Sequence, residues 1–441
     1  MKTSMNRIAV ALAAAVALAA SSCGKKDKAS GGAENSAGME TPAEGPTDAG
    51  VKIVHTGGNV SLSVDGEPFR IRGAGGPGRL DELAAFGGNA IRTWGFDQLE
   101  GGLLDEAQRL GLKVVAGIWL RHDLDYSDEN QVEEQTRLAL EGVRKYKEHP
   151  AVLMWGIGNE MEGDGSRIEV WEHVEALAKL IKEEDPAHPT MTVLAEVGGE
   201  KIRNLHEHCP SIDIVGINSY GGAPTIPKRY REAGGEKPYV LTEFGPLGPW
   251  ELGKNAIGSV DEELGKAKAD RYLQAYRAVD ADRERCLGSF AFMWGYKQEA
   301  TPTWFGMFLA DGRKTAAVDV LTEEWTGKPV ANRCPQIDSM ELSGGVQVKA
   351  GSTVQAVLDA RDPEGVPLTV DWVLMADAER HSTGGYHQDT PPSFPDHIIE
   401  GTTSGVTFRA PGEPGLYRIF AYVGDGQNAA DVANIVFRVD P

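Results

Sequence analysis

From residue 51 to about 330, short apolar runs alternate with longer segments whose apolar residues recur every three or four positions, a pattern that predicts strands and helices in turn. The runs are FRIRGA (69–74), NAIRTW (89–94), KVVAGIWL (113–120), AVLMWGIG (151–158), TMTVLAEV (190–197), IDIVGINSY (212–220), YVLTEF (239–244) and GSFAFMWG (288–295). Eight strands, each followed by room for a helix, in about 280 residues predict an α/β fold of the (β/α)8 TIM-barrel type. Stretches such as 131–149 and 170–184 carry helical periodicity and belong to the outer ring. Ahead of the first strand, VKIVHTGGNVSLSVDGEPFRI reads as a small hairpin turning at Gly57-Gly58 and Asp65-Gly66, placed to plug the bottom of the barrel.

After residue 330 the period shortens to two. VQVKA, STVQAVLDA, LTVDWVLMA, GVTFRA, LYRIFAYV and NIVFRV alternate apolar with polar residues between Gly, Pro and Asp turns. This predicts a C-terminal all-β immunoglobulin-like sandwich over 335–441, following a catalytic barrel over 51–330. DARDPEGVPLTVDW resembles the signature of extracellular modules of the polycystic-kidney-disease and cadherin-like type, a likeness that specifies no ligand. Every candidate reactive group precedes residue 330, so the module is expected to be dispensable for chemistry.

The N-terminus changes the picture of where the protein works. Lys2 and Arg7 precede an apolar stretch of signal-peptide length that ends at Ser21-Ser22-Cys23, so residues 1–23 read as an export signal. Small residues just before a cysteine resemble the bacterial lipoprotein cleavage site, which implies lipid attachment at Cys23, although Ala20 stands where Leu is preferred. Residues 24–50 contain almost no large apolar side chain and form a flexible linker. The expected location is the bacterial cell envelope, lipid-anchored, or else the periplasm or the medium. Cys209, Cys286 and Cys334 remain, an odd number for an exported chain, and one bridge plus one free thiol is the simplest expectation.

The 441 residues are 41% hydrophobic and 25% charged, enough apolar side chain for a large core. A net charge of -21 repels phosphate backbones and anionic head groups, so no nucleic-acid partner is expected and contact with a membrane only through the lipid. A monomer is expected. No C-x-x-C pair occurs, and the histidines lack ligand spacing, so no metal or other cofactor is predicted.

In such a barrel the site forms at the C-terminal rim. Glu160 follows the fourth strand and Glu243 lies at the end of the seventh, so two carboxylates can flank a glycosidic bond, one protonating the leaving oxygen and the other attacking the anomeric carbon. G-N-E after strand four and T-E-F-G on strand seven resemble the acid/base and nucleophile motifs of retaining glycoside hydrolases of the large (β/α)8 clan. The likeness is strongest to the family 2 catalytic barrel, with family 5 nearby, and VDGEPFRIRGAGG followed by GGNAIRTW resembles the family 2 barrel opening. It covers roughly 60–325, without the jelly-roll domain that precedes the barrel in family 2.

The resemblance implies Glu160 as general acid/base and Glu243 as nucleophile. It implies Arg92 beside Glu243 as the cation that keeps it ionised, Asn159 on the sugar 2-hydroxyl, Tyr220 donating to the nucleophile, and Trp294 as a stacking platform. Trp94 and Trp304, with Trp119 and Trp250, lie near the expected rim and extend that platform. Lys297, Gln298 and Glu299 add polar groups after strand eight without an assigned role. GAGGPG (73–78) fits a dinucleotide-binding pattern, but the next strand ends in Arg92-Thr93-Trp94 where a ribose-binding acid belongs, so the glycines are read as letting the first loop pass close to substrate. The expected function is a retaining β-glycoside hydrolase acting on a β-linked oligo- or polysaccharide, with β-glucan or a related plant or algal glycan as substrate. The alternatives are a transglycosylase using the same carboxylates and a non-catalytic carbohydrate-binding lipoprotein.

Overall fold

The computed structural model describes residues 50–381 and 387–441. The export signal, Cys23 and the linker up to residue 49 lie outside the described residues.

Eight parallel strands close into a barrel: Ile71–Gly75, Ala90–Arg92, Lys113–Ile118, Val152–Ile157, Thr190–Ala195, Ile214–Asn218, Tyr239–Phe244 and Cys286–Ala291. The eighth pairs with the first in parallel, Gly288 opposite Ile71 and Ala291 opposite Ala74. All eight apolar runs therefore became strands. Their near-continuous burial is what a sheet covered on both faces demands. The ring includes Glu129–Tyr146, which starts where Asp128 accepts the Asn130 and Gln131 amides, and Ile168–Glu184. Within 73–78 the glycines serve packing more than substrate approach. A Cβ on Gly73 would lie 2.4 Å from the Phe290 ring, and one on Gly75 2.9 Å from the Trp94 indole.

The N-terminal segment forms a three-stranded antiparallel sheet, Val51–Thr56, Asn59–Val64 and Glu67–Phe69, one strand more than the expected hairpin. Val51, Val60, Leu62 and Val64 pack on Ile71, Val115, Leu153, Met191, Ile214 and Phe290, sealing the bottom of the barrel.

The C-terminal region is built of two four-stranded sheets. One holds Gln336–Leu342, Thr353–Arg361, Gly405–Arg409 and Ile398–Thr402; the other holds Gln347–Lys349, Ala430–Asp440, Gly415–Gly424 and Thr369–Ala376. Gln336–Leu342 and Ile398–Thr402 are additional to the six strands expected. Both are sheet edges with little burial, so their apolar alternation is weak. Barrel and sandwich fall in one compact unit. Their boundary is polar and buried: Arg418, 1% exposed, and Asp377 of the sandwich meet Ser259 of the barrel.

The three described cysteines are all free and buried, which corrects the expected bridge. Each sits in a different part of the fold. The Cys209 thiol donates to the Trp171 carbonyl, Cys286 opens the eighth strand, and Cys334 lies beside Lys314 and Asp319. Burial pushes the Cys209 thiol up to about 12 and the Cys286 thiol up to about 11.

Candidate active site

The rim opposite the plug opens into a cleft of ≈ 680 Å³ lined among others by Trp94, Trp119, Asn159, Glu160, Tyr220, Glu243 and Trp250. That size suits a ligand of several rings.

Glu243 is the penultimate residue of the seventh strand and is 6% exposed. Three groups converge on it, two from the end of the second strand and the residues just after it and one from beyond the sixth. Arg92 Nη1, at the end of the second strand, donates to Oε1 at 2.8 Å; Trp94 Nε1 donates to the same oxygen at 2.9 Å; Tyr220 Oη donates to Oε2 at 2.8 Å. Arg92 is itself buried and also donates to the Thr242 carbonyl and, through Nη2, to Asn159 Oδ1 at 2.6 Å. A buried carboxylate with a guanidinium and two neutral donors has its charge compensated where it stands. Burial raises the Tyr220 phenol well above its ordinary range, and the Glu243 and Glu160 charges raise it further, so it remains a donor.

Glu160 lies just beyond the fourth strand, where the chain leaves β geometry through two left-handed residues, Gly158 (φ 71°) and Glu160 itself (φ 55°). A glutamate in that region costs about 1 kcal/mol, a strain typical of functional positions. The turn is fixed by Gly158 N donating to the Ile118 carbonyl and Glu160 N to the Val193 carbonyl, each 2.9 Å. The Glu160 carboxyl receives one side-chain donor, Asn218 Nδ2 at 2.7 Å. Burial, then the Glu243 charge, pushes it up to about 7, against the Asn218 bond and Arg92, which pull it down. The two carboxyls share a cleft in opposed surroundings: one held by a cation, the other biased toward its proton.

Asn159 lines the cleft, and its Oδ1 accepts from both Arg92 and Asn218, which leaves its Nδ2 to face a ligand. Two aromatic expectations are corrected. Trp294 is 1% exposed and turns away from the cleft, its Nε1 donating to the Arg79 carbonyl and its ring packed on Phe86, Phe308 and Trp325. The eighth strand ends at Ala291, four residues before the end of the run 288–295, so Phe292 and Met293 face the cleft instead. Trp304 is 2% exposed and donates to the Leu247 carbonyl, buried behind the wall. The exposed indoles are Trp119, 46%, and Trp250, 52%, on loops after the third and seventh strands.

Asn218 was missed in the sequence, though it ends the sixth strand two residues before Tyr220. Its Oδ1 accepts the Thr242 hydroxyl at 2.7 Å, which aims the amide nitrogen at Glu160. Gln98 was missed as well; it accepts the Trp94 backbone amide at 2.8 Å and so helps place the Trp94 indole.

A family profile described as "Glycosyl hydrolases family 2, TIM barrel domain" matches residues 97–253, which include both carboxylates and the third through seventh strands. A search of curated proteins returned no match. Solved structures with detectable similarity include the β-D-glucuronidase of Dictyoglomus thermophilum, at 16% identity and a TM-score of 0.47, covering 63% of this chain and 54% of that one. The β-glucuronidase of Bifidobacterium dentium matches at 20% identity and a TM-score of 0.48, covering 63% and 50%. A glycoside hydrolase family 5 mannosidase from Rhizomucor miehei matches at 16% identity and a TM-score of 0.46, covering 63% and 97%. The chain spans about half the length of the two glucuronidases. Residues 97–253 are thus similar in sequence to the family 2 glycosyl hydrolase TIM-barrel domain, and the closed eight-stranded topology is the fold of such a barrel.

Proposed function

We propose that this protein is a retaining β-glycoside hydrolase that cleaves a neutral β-linked oligo- or polysaccharide, a β-glucan being the best-fitting class. The observation that carries this reading is the asymmetry between the carboxylates: three donors hold Glu243, while Glu160 is pushed up to about 7. In the first step protonated Glu160 gives its proton to the glycosidic oxygen as ionised Glu243 attacks the anomeric carbon, so that a glycosyl ester forms and the aglycone leaves. In the second, Glu160, now ionised, takes a proton from water, which displaces Glu243 and returns the sugar with its original configuration. Asn159 Nδ2 donates to the 2-hydroxyl, and Trp119 and Trp250 stack on neighbouring sugar faces.

A neutral sugar is favoured by the charge of the lining. Asp97, Glu160, Glu243 and Glu299 face the cleft, and its lysine, Lys297, is engaged by Glu299 at 3.2 Å. The structural neighbours named as glucuronidases act on an acidic sugar; this lining offers a carboxylated ring a poor electrostatic fit. The test is turnover of defined neutral and uronic β-linked oligosaccharides, with the first-formed anomer followed by NMR. Retained configuration on a neutral substrate is expected. An inverted first product would refute the mechanism, and a preference for uronides the substrate class.

We also propose export with lipid attachment at Cys23, because a linker of the composition of residues 24–50 is useful when its start is anchored. Cys23→Ala should move the protein from the membrane fraction to the soluble one; equal membrane association would refute the anchor.

A further inference from the structure

The C-terminal sandwich reaches the cleft through two loops it does not own. The first, residues 245–264, follows the seventh strand and carries Trp250. The second, residues 292–305, follows the eighth and carries Phe292, Lys297 and Glu299. Arg418 of the sandwich donates through Nη2 to the Val260 carbonyl at 2.6 Å and to Ser259 Oγ at 3.1 Å, through Nε to Asp377 at 2.6 Å and through Nη1 to Asn434 at 2.7 Å. Ser259 Oγ donates to Asp377 at 2.5 Å. Asn434 in turn donates to Glu262 at 2.6 Å, and the same carboxylate accepts from Thr301, Thr303 and Lys268. Gln388 of the sandwich accepts the Ala300 amide at 2.8 Å. One connected buried network therefore grips both loops from behind.

What it grips touches the site. Val260 packs in a cluster with Tyr220, Phe292, Ala300, Trp304 and Phe305. Tyr220 meets the Trp250 ring edge-on at 5.3 Å and donates to Glu243; Phe305 stacks on Trp250 at 5.9 Å. Loops of this length need contacts elsewhere to be ordered; here Glu251 accepts the Gly221 amide and Trp304 donates to the Leu247 carbonyl within the barrel, and the rest of the grip comes from the sandwich.

We infer that Arg418 is a positioning residue: it latches the Trp250 loop to the sandwich, making the C-terminal module part of the substrate-binding wall and not a detachable appendage. This rests on the reading of the Glu160–Glu243 cleft as a glycan site. Arg418→Met in the full chain, assayed on a neutral β-linked oligosaccharide long enough to reach Trp250, should raise KM about tenfold and leave kcat within about threefold, the signature of lost binding. Amide hydrogen exchange across 245–264 should quicken at least about tenfold while that of the third strand, Lys113–Ile118, keeps its rate. Arg418→Lys should recover part of both effects, because one ammonium can meet Asp377 or the Val260 carbonyl but cannot span Asp377, Asn434 and Val260 together.

A folded Arg418→Met protein with unchanged KM and unchanged exchange over 245–264 would overturn the inference. If Arg418→Met does not fold, Ser259→Ala decides: it deletes one hydroxyl while Asp377 keeps Arg418 and His381, and unchanged exchange over 245–264 again overturns the latch. Should the wild-type protein turn over no glycoside at all, the proposed function fails, yet the exchange measurement still decides the latch.

Discussion

At the bottom of the barrel Val60, Leu62 and Val64 cover Leu153, Ile214 and Phe290, with apolar side chains on both sides of the contact. At the mouth, Arg92, Asn218, Glu243 and Glu299 are buried to a similar depth, but the groups facing them are charged or polar. Both ends exclude water, with opposite effects on free energy. Burial of apolar surface at the plug stabilises the fold by roughly 25 cal/mol per Å². At the mouth desolvation costs free energy that only specific partners offset, and where partners are few, as at Glu160, the proton affinity moves instead. Stability is concentrated at one end so that reactive groups can be held at the other.

The sharpest way to break this contrast is to remove Glu243. Glu243→Ala deletes the proposed nucleophile and leaves Arg92 buried without its carboxylate. Turnover should fall by at least about 10⁴-fold on every substrate, including an activated aryl glycoside. A variant that kept its rate on the aryl glycoside would show that Glu243 is not the nucleophile.

Glu160→Ala should slow oligosaccharide hydrolysis by about 10²–10⁴-fold. With an activated aryl glycoside the first step survives, and added azide should speed release and yield a glycosyl azide of the substrate's own configuration. An azide product of inverted configuration would exchange the roles of the two carboxylates.

At the plug the expected effect is on stability. Leu62 is fully buried, and Leu62→Ala should cost about 2–5 kcal/mol in chemical denaturation while KM stays within about twofold. A large change in KM would mean that the two ends are mechanically coupled.

The smallest effect concerns the Glu160 proton. Folding raises this carboxyl to about 7, so between its unfolded value, near 4.5, and 7 the native state binds more protons than the unfolded one, and stability falls as pH rises through that window. Glu160→Gln should therefore match the wild-type melting temperature at pH 4 and exceed it at pH 8 by a few degrees. In the wild-type enzyme kcat/KM should decline above about pH 7 as the acid loses its proton. Equal melting temperatures at pH 8 would mean that the buried charge costs nothing.

The sequence by itself determined the barrel, since eight apolar runs separated by helical periodicity can bury both faces of a sheet in few other ways, and it placed Glu160 and Glu243 at strand ends, where the fold opens to solvent. Arg92, Tyr220 and Asn159 were implied by the resemblance of the motifs that carry them. Side-chain direction beyond a strand end did not follow, because periodicity stops where the strand stops. Trp294 packs on Phe86, Phe308 and Trp325, while Trp119 and Trp250 are left exposed in the cleft. The cysteines stay apart for the same kind of reason: an odd count says nothing about the distance between three thiols in three parts of the fold. Only the tertiary structure decided how the Trp250 loop is held, because Arg418 and Val260 are 158 residues apart and their meeting depends on the sandwich docking beside the barrel's open end.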